Sequence, residues 1–501
     1  MSKRTGARPH SARYLGLVCS TTECGLAAAA EDGTEGYVSL PMAGAVEWHG
    51  SPAFDLRALP NMVLELLARL GDDGWDLSEP GHLSQAWRQH DLVLVGPDGE
   101  PLIPALSWQC NLAGAQTEAL NGMPAFQDAV GAVEARFIAA KLPWALEQEP
   151  RLRDELHAAM TSGDWLAGRL TGGRYRLSSS DALSNGLLDQ QTKELATAPL
   201  RDAGRLLGGN LGPEWFPPVI ASSGVVGAVE PSMDRAWRKL TEQLRGWQVA
   251  ALLGDNHASA AGCGATEYDT MVLSLGTSGS VNLPAPHASR PSGEALGFEY
   301  WDDRLFLLML AQCGAWYERF RAEAASGMDY DELNGLALAS DPERIVRAPE
   351  PDPTRTGWPE LAGLDLAAQT ASIQYSISLE MLDRVRAMLP SATEPIHTFV
   401  LTGGLSRAPL IRDVLHTGLL MLAETDGRVA TDANVLLNDR SGHLAHKTDA
   451  LGALVNARIA AGGGSARDVI AADRSWRPCA APEPERGRRL RRLLQSLEDS
   501  R

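Results

Sequence analysis

Cysteine is scarce in this sequence, with six residues in 501. Cys19, Cys24, Cys110, Cys263, Cys313 and Cys479 show no CxxC pair and no histidine at zinc-finger spacing. That excludes a disulfide scaffold and a zinc ribbon, and predicts reduced thiols in a cytoplasmic protein. Long apolar runs are missing too. None reaches the roughly 18 residues that span a bilayer. The opening stretch Met1–Arg13 is basic but lacks the apolar core of a signal peptide. Positive charge is in deficit: 45 Lys and Arg stand against 63 Asp and Glu, a net charge of -18. Such a surface repels phosphate backbones and anionic lipid, so no nucleic acid and no membrane is expected as a partner. The exception is Arg486, Arg488, Arg489, Arg491 and Arg492 near the C-terminus, which read as a solvated helix face.

What is present is a globular composition, 44% hydrophobic and 22% charged. The length suits three domains of ordinary size or two large ones, either able to bury a core without a metal or disulfide. Tyr14–Cys19 reads as a strand, Ser20–Glu23 as a polar turn and Cys24–Ala30 as a second strand. Asp32-Gly33 then turns into Tyr37–Leu40. Pro60–Leu70 has helical periodicity. Asp91–Val95, the turn Pro97-Asp-Gly99 and Pro101–Trp108 read as a hairpin. Phe137–Leu146 and Pro150–Leu170 read as helices, the second ended by Thr171-Gly-Gly173.

A second block opens on the apolar strand Val249–Leu253, followed by Gly254-Asp-Asn256 and a small-residue helix, Ala258–Ala265. Thr270–Leu275 and Ser280–Leu283 read as strands around the turn Gly276-Thr-Ser-Gly279. This repeats the opening of the first block: strand, hydroxyl turn, strand. Ala367–Leu389 is a long helix. His397–Leu401, Thr402-Gly-Gly404 and Pro409–Leu422 give strand, turn and helix. Leu444–Ala461 is a close-packing helix. Arg477–Pro484 reads as a linker before a last helix, Glu485–Leu497. The duplication predicts an α/β fold of two lobes with a cleft between them. The expected parts are residues 14–247, 248–465 and a C-terminal tail, 466–501.

Four short constellations can carry chemistry. Gly276-Thr-Ser-Gly279 brings backbone N–H groups and the hydroxyls of Thr277 and Ser278 toward phosphate oxygens. Thr21 and Thr22 occupy the matching turn of the first block. Gly403 and Gly404 permit close approach of a flat ligand or phosphate. Asp255, at the end of an apolar strand, reads equally as a helix N-cap and as a base that accepts a proton from a substrate hydroxyl. Each of the turns also reads as plain chain reversal.

The ordered set of motifs resembles the FGGY carbohydrate kinases, most closely the xylulose kinase-like members, over nearly the whole chain. The stretches that carry it are Lys141-Leu-Pro-Trp144, Asp164-Trp-Leu-Ala-Gly-Arg-Leu-Thr-Gly172, Ser180-Asp-Ala182, Leu187-Leu-Asp189 and Thr192-Lys-Glu194. Gly254-Asp-Asn256, Leu273-Ser-Leu-Gly-Thr-Ser-Gly279, Gly403-Gly404 with Pro409-Leu410, and Asp449-Ala-Leu-Gly-Ala453 follow in order. The resemblance implies an actin-like, ribonuclease-H-like pair of lobes. It implies that the first lobe binds the acceptor and the second ATP. By the same resemblance Asp255 is the catalytic base. Thr21, Thr22, Gly276, Thr277, Ser278, Gly403 and Gly404 bind ATP, and Mg²⁺ accompanies it, with Asp255 as its candidate protein ligand. His90, Trp108, Asn111, Asp255 and Asn256 face a small sugar or polyol, and a homodimer is left open.

Two departures stand against that pattern. The family places an Asp in the strand before its first phosphate turn, and here that position is Val18, which offers a hard cation no oxygen. In the acceptor region Arg88-Gln-His90-Asp91 replaces Gln-Met-His-Gly or Gln-Arg-Glu. Trp108-Gln-Cys110-Asn-Leu112 replaces Trp-x-Asp-x-Arg, so an acid and a base that normally bond sugar hydroxyls are gone. His90 also reads as a satisfied structural histidine. The expected function is an ATP-dependent kinase of a sugar, polyol or sugar-like hydroxyl compound. The alternative is a catalytically inactive pseudokinase that binds ligand or a regulatory partner.

Overall fold

The computed structural model describes residues 9–351, 357–440, 442, 444–445 and 447–498. Most of the basic opening stretch, residues 1–8, lies outside them, as does His446 in the expected helix 444–461. The chain forms two compact units. The first comprises residues 1–262, 298–302 and 442–473; the second comprises 263–297, 303–441 and 474–501. These cuts differ from the lobes expected from the sequence: residues 248–262 and 442–473 lie in the first unit.

The strands that matter are β1 (Tyr14–Cys19), β2 (Glu23–Ala29), β3 (Glu35–Pro41), β4 (His82–Trp87) and β5 (Gln248–Ala250) in the first unit. In the second they are β6 (Thr270–Leu275), β7 (Gly279–Ala285), β8 (Asp303–Leu310), β9 (Ile396–Thr402) and β10 (Val429–Asn438). In the first unit β3 and β2 pair antiparallel, as do β2 and β1. β1 with β4 and β4 with β5 pair parallel. The second unit repeats this: β8–β7 and β7–β6 are antiparallel, β6–β9 and β9–β10 parallel. The two-block reading thus finds one strand order used twice.

Alternation along β1 explains how the first sheet is covered. Leu15, Leu17 and Cys19 enter one apolar core with Leu26, Leu66, Leu83 and Trp87. Gly16 and Val18 point the other way. A Cβ on Gly16 would lie 3.0 Å from the Ala450 carbonyl oxygen, so this face receives the helix Thr448–Ala460. That helix packs on helix Asp255–Gly262 at backbone contact. A Cβ on Gly452 or on Gly262 would meet a carbonyl oxygen of the other helix at 1.9 Å. Only glycine fits such a crossing.

Two expectations of local structure need correction. Pro150–Leu170 is not one helix. Leu152–Glu155 is a single turn, Ala158–Met160 is a strand antiparallel to Val93–Val95, and the helix restarts at Ser162. Thr161 is the cause: its side chain accepts from the Asp164 N–H and caps the new helix. The linker expected at Arg477–Pro484 begins as an edge strand, Trp476–Pro478, on β10. Of the terminal arginines, Arg488 and Arg492 are exposed, as a solvated helix face requires, while others pair with acids. Arg491 pairs with Glu424 at 2.7 Å, and Arg489 with Glu485 and Asp341, while Leu490 and Leu494 anchor the helix in the core. Among the described residues, no helix is long and apolar enough to cross a membrane.

Candidate active site

In the first unit, chain reversals at the C-terminal ends of β1, β4 and the short strand Leu253–Gly254 gather the polar groups. Leu253–Gly254 pairs parallel with Ala86–Trp87 of β4 and delivers Asp255 as the first residue of its helix. Asp255 Oδ1 accepts from the Asn256 N–H at 2.9 Å and from the Asn256 side-chain amide at 3.3 Å. This is not the bond to the second or third helical N–H that defines an N-cap, so of the two sequence readings the capping one loses its geometric basis. Burial pushes the Asp255 carboxyl up to about 7. The negative charges of Asp449 and Asp91 act in the same direction, against the Asn256 bond and the charge of Arg88. A carboxyl there is half ionised near neutral pH, the range a general base needs.

Asn256 extends the group. Its side-chain N–H₂ donates to Gln89 Oε1 at 2.9 Å, and the Gln89 amide lies 3.1 Å from His257 Nδ1. Gln89 also explains Gly254: a Cβ there would meet the Gln89 side chain at 2.4 Å. His257 is fully buried and burial pushes its pKa down to about 3, so it serves as a neutral ring. Asp181 is buried with neither carboxylate oxygen bonded, and burial holds its pKa well above the usual range.

A second network surrounds Trp108. Arg88 and Asp91 form a fully buried ion pair at 2.8 Å. Asp91 also accepts from the Trp108 N–H at 3.2 Å and the Ser162 hydroxyl at 3.2 Å, and Arg88 donates to the Ser20 carbonyl at 2.6 Å. The Arg88 guanidinium lies over the Phe54 ring at 3.9 Å. The Trp108 indole N–H donates to Thr21 Oγ1 at 3.1 Å. So Thr21, expected on nucleotide, and Trp108, expected on acceptor, bond each other directly. Thr22 is exposed in the same turn.

His90 has a left-handed backbone, with φ of 68°. It is buried, bonds Asn185 Oδ1 at 3.2 Å through Nδ1 and stacks on Phe137 with ring centroids 4.8 Å apart. Burial holds it well below the usual histidine pKa. Asn111 is exposed and belongs to neither network.

Val18 shares its sheet face with Gly25 directly opposite and with Glu23 and Tyr37 nearby. Glu23 Oε1 accepts from Lys447 Nζ and from the Tyr37 hydroxyl, both at 2.5 Å. Burial acts upward on the Glu23 carboxyl, but these two bonds outweigh it and hold it below its ordinary value. Glu23 is therefore committed and does not replace the missing acid. Among the described residues, no group of three or more His, Cys, Asp or Glu is arranged to hold a metal.

The second unit brings two Gly-containing turns together. A Cβ on Gly403, whose φ is 88°, would lie 2.6 Å from the Leu275 carbonyl carbon and 2.9 Å from the Gly276 nitrogen. The Gly276 carbonyl accepts from the Gly314 N–H at 2.7 Å, and the Thr277 carbonyl from Cys313 and Ala315 N–H at 3.1 and 2.9 Å. Gly276 and Gly403 therefore lie together, with the Thr277 side chain and Gly404 exposed beside them and Ser278 half-buried.

The Arg88–Asp91 pair is what sequence reasoning missed. The three-residue spacing of opposite charges was visible, but its complete burial at the end of a central strand was not.

Residues 46–262 match the N-terminal domain of the FGGY family of carbohydrate kinases. The chain is 31% identical over 226 residues to a xylulose kinase of Streptomyces rubiginosus, 44% of each chain. It spans about half the length or less of the curated relatives it matches. In fold it is similar to gluconate kinase from Lactobacillus acidophilus, with a TM-score of 0.78, 14% identity and 97% of each chain covered. It is likewise similar to xylulose kinase from Rhodospirillum rubrum, with a TM-score of 0.74, 20% identity and 97% and 98% coverage.

Proposed function

We propose that the chain, whose residues 46–262 match the N-terminal domain of the FGGY family of carbohydrate kinases, transfers the γ-phosphoryl group of ATP to a hydroxyl of a sugar, polyol or sugar-like small molecule. The observation that carries this reading is Asp255: a carboxylate pushed up to about 7 by burial, with Oδ1 taken up by Asn256 and Oδ2 making no hydrogen bond. In the reaction Oδ2 accepts the acceptor's hydroxyl proton as that oxygen attacks phosphorus. Asn256 and Gln89 fix the carboxylate's orientation. Gly276, Thr277, Ser278, Gly403 and Gly404 hold the nucleotide, whose phosphates approach because no side chain stands in the way.

On the acceptor side, Trp108, with Asn111, Asn256 and His90, orients the substrate. The Arg88–Asp91 pair spends its bonds internally, so it sets the Trp108 loop and the turn Ser20–Glu23 rather than bonding sugar hydroxyls. An acceptor with fewer hydroxyl contacts than xylulose follows from the loss of the acid at Cys110 and the base at Leu112.

The residues present fit Mg²⁺ that arrives with the nucleotide. The Asp255 oxygen that does not take the proton, Oδ1, would be a hard ligand, and Mg²⁺ needs only one or two carboxylates beside phosphate and water. Bound there, the ion supplies charge neutralisation of the phosphates. Nothing in the comparisons supports the catalytically inactive alternative. The test is ADP release from ATP with Mg²⁺ or Mn²⁺ across a panel of ketoses, polyols and deoxy-polyols. Acceptor-dependent turnover is expected; no turnover with any member would refute the reading.

A further inference from the structure

Cys19 and Cys24 are register partners at the end of the β1–β2 hairpin, and their Sγ atoms lie 3.0 Å apart. The Ser20 N–H donates to the Glu23 carbonyl at 2.8 Å and closes the turn. The cysteine pair, one step further along, is therefore a non-hydrogen-bonded antiparallel pair, the kind in which facing side chains stand closest. A disulfide bond is about 2.05 Å long. Closing it needs an approach of about 1 Å and no change of register.

We propose that Cys19 and Cys24 are a redox-modification site, oxidised by a hydroperoxide such as hydrogen peroxide to a disulfide that staples the turn Ser20–Glu23. One thiolate sulfur attacks a peroxide oxygen, the O–O bond breaks and water leaves, giving a sulfenic acid. The second sulfur attacks the first, the S–S bond forms and a second water leaves. Two thiol hydrogens are lost and the peroxide is reduced to two waters, so atoms and electrons balance.

Both thiols are buried, so the reaction depends on access. Thr22, two residues from Cys24, is exposed, so peroxide reaches the pair through local opening of the adjoining turn. Burial, reinforced by Cys24, holds the Cys19 thiol well above its ordinary value, with Arg88 opposing. Oxidation is therefore slower than at an exposed low-pKa thiol. The turn it staples contains Thr21, which holds the Trp108 indole. The proposal does not depend on the kinase reading.

The test treats the full-length protein with hydrogen peroxide, unfolds it in N-ethylmaleimide and digests it with trypsin. Residues 14–57 emerge as one peptide carrying both cysteines and no other. The expected result is that peptide unlabelled and lighter by two hydrogens, and doubly labelled again after dithiothreitol. Cys110, Cys263, Cys313 and Cys479 remain labelled and act as internal controls. Double labelling of the peptide after peroxide, addition of sulfinic oxygens, or linkage of either cysteine elsewhere would overturn the proposal. In Cys24→Ser protein the loss of two hydrogens from this peptide must vanish; its persistence there would also overturn the proposal.

Discussion

The first sheet holds its hairpin turn through side chains, whereas the second anchors its equivalent turn through backbone N–H groups of a following helix. In the first unit Ser20 Oγ accepts from the Thr22 and Glu23 N–H groups at 3.3 and 3.0 Å, and Thr21 is taken by Trp108. In the second, the carbonyls of Gly276 and Thr277 are held by N–H groups of the helix that begins at Gly314, and the Thr277 side chain is left exposed. Strand order and direction are the same in both units. A duplicated scaffold thus carries two turns of different chemistry: in the first Thr21 is bonded to Trp108 and Thr22 is exposed, and in the second Thr277 is exposed. Val18 lies in the strand before the first of them.

The largest expected effect comes from Asp255, in the first unit. Asp255→Asn should lower the rate of phosphoryl transfer by about 10² to 10⁴, the usual contribution of a general base. Far-UV circular dichroism and nucleotide affinity should stay as in the wild type. A variant retaining wild-type kcat would remove Asp255 from the chemistry.

Gly403→Ala comes next. It should destabilise the second unit by about 2 to 4 kcal/mol, since a backbone of φ 88° and ψ 173°, a region kept essentially for glycine, alone costs about 1 to 3 and the Cβ would overlap the Leu275 carbonyl. Gly33→Ala, at a similar φ of 85° but with nothing within 4 Å, should lose only the backbone share. Denaturant midpoints for the two compare crowding with conformation directly, and equal losses would show that the close approach to Gly276 is not there.

The turns themselves can be set against each other. Thr277→Val should weaken ATP by about 1 to 3 kcal/mol if its hydroxyl bonds a phosphate oxygen. Thr21→Val should leave ATP affinity nearly unchanged, because that hydroxyl already serves Trp108. Calorimetry finding equal losses would show that both turns serve nucleotide, as the resemblance alone implies.

A further effect is on stability against pH. Asp255 and Asp164 are pushed from 3.8 up to about 7 by burial. Between about pH 4 and pH 7 the folded protein then binds more protons at these groups than the unfolded chain does. Their contribution is fully present below pH 4 and is lost as pH rises through 7. Melts at pH 5 and pH 8 should show this decline, and Asp255→Asn should make it shallower.

Much of this architecture was legible because its signals are local. The alternation in Tyr14–Cys19 and Thr270–Leu275, with hydroxyl turns after each, announced both hairpins. Gly254-Asp-Asn256 announced the acid. The strand Ala158–Met160 was hidden in an apparently helical run, because a three-residue apolar segment has no period of its own and is defined by its partner, Val93–Val95. The Arg88–Asp91 pair was hidden for a related reason. Charged residues three apart carry no sign of burial, and only the packing of Phe54, Ser162 and the Trp108 loop around the pair makes it interior. Glu23 lies close to Val18 in sequence, but Lys447, more than 400 residues away, decides what it does.

The most direct test of the account is the pH profile of kcat/KM for the best acceptor, measured with wild type and Asp255→Asn. A base pushed up to about 7 by burial predicts a rate that rises about tenfold per pH unit below 7 and levels above it. In Asp255→Asn protein that limb should be gone from whatever activity remains. A wild-type profile that is flat from pH 5 to pH 8, or a limb that survives in the variant, would contradict the assignment of Asp255 as the base.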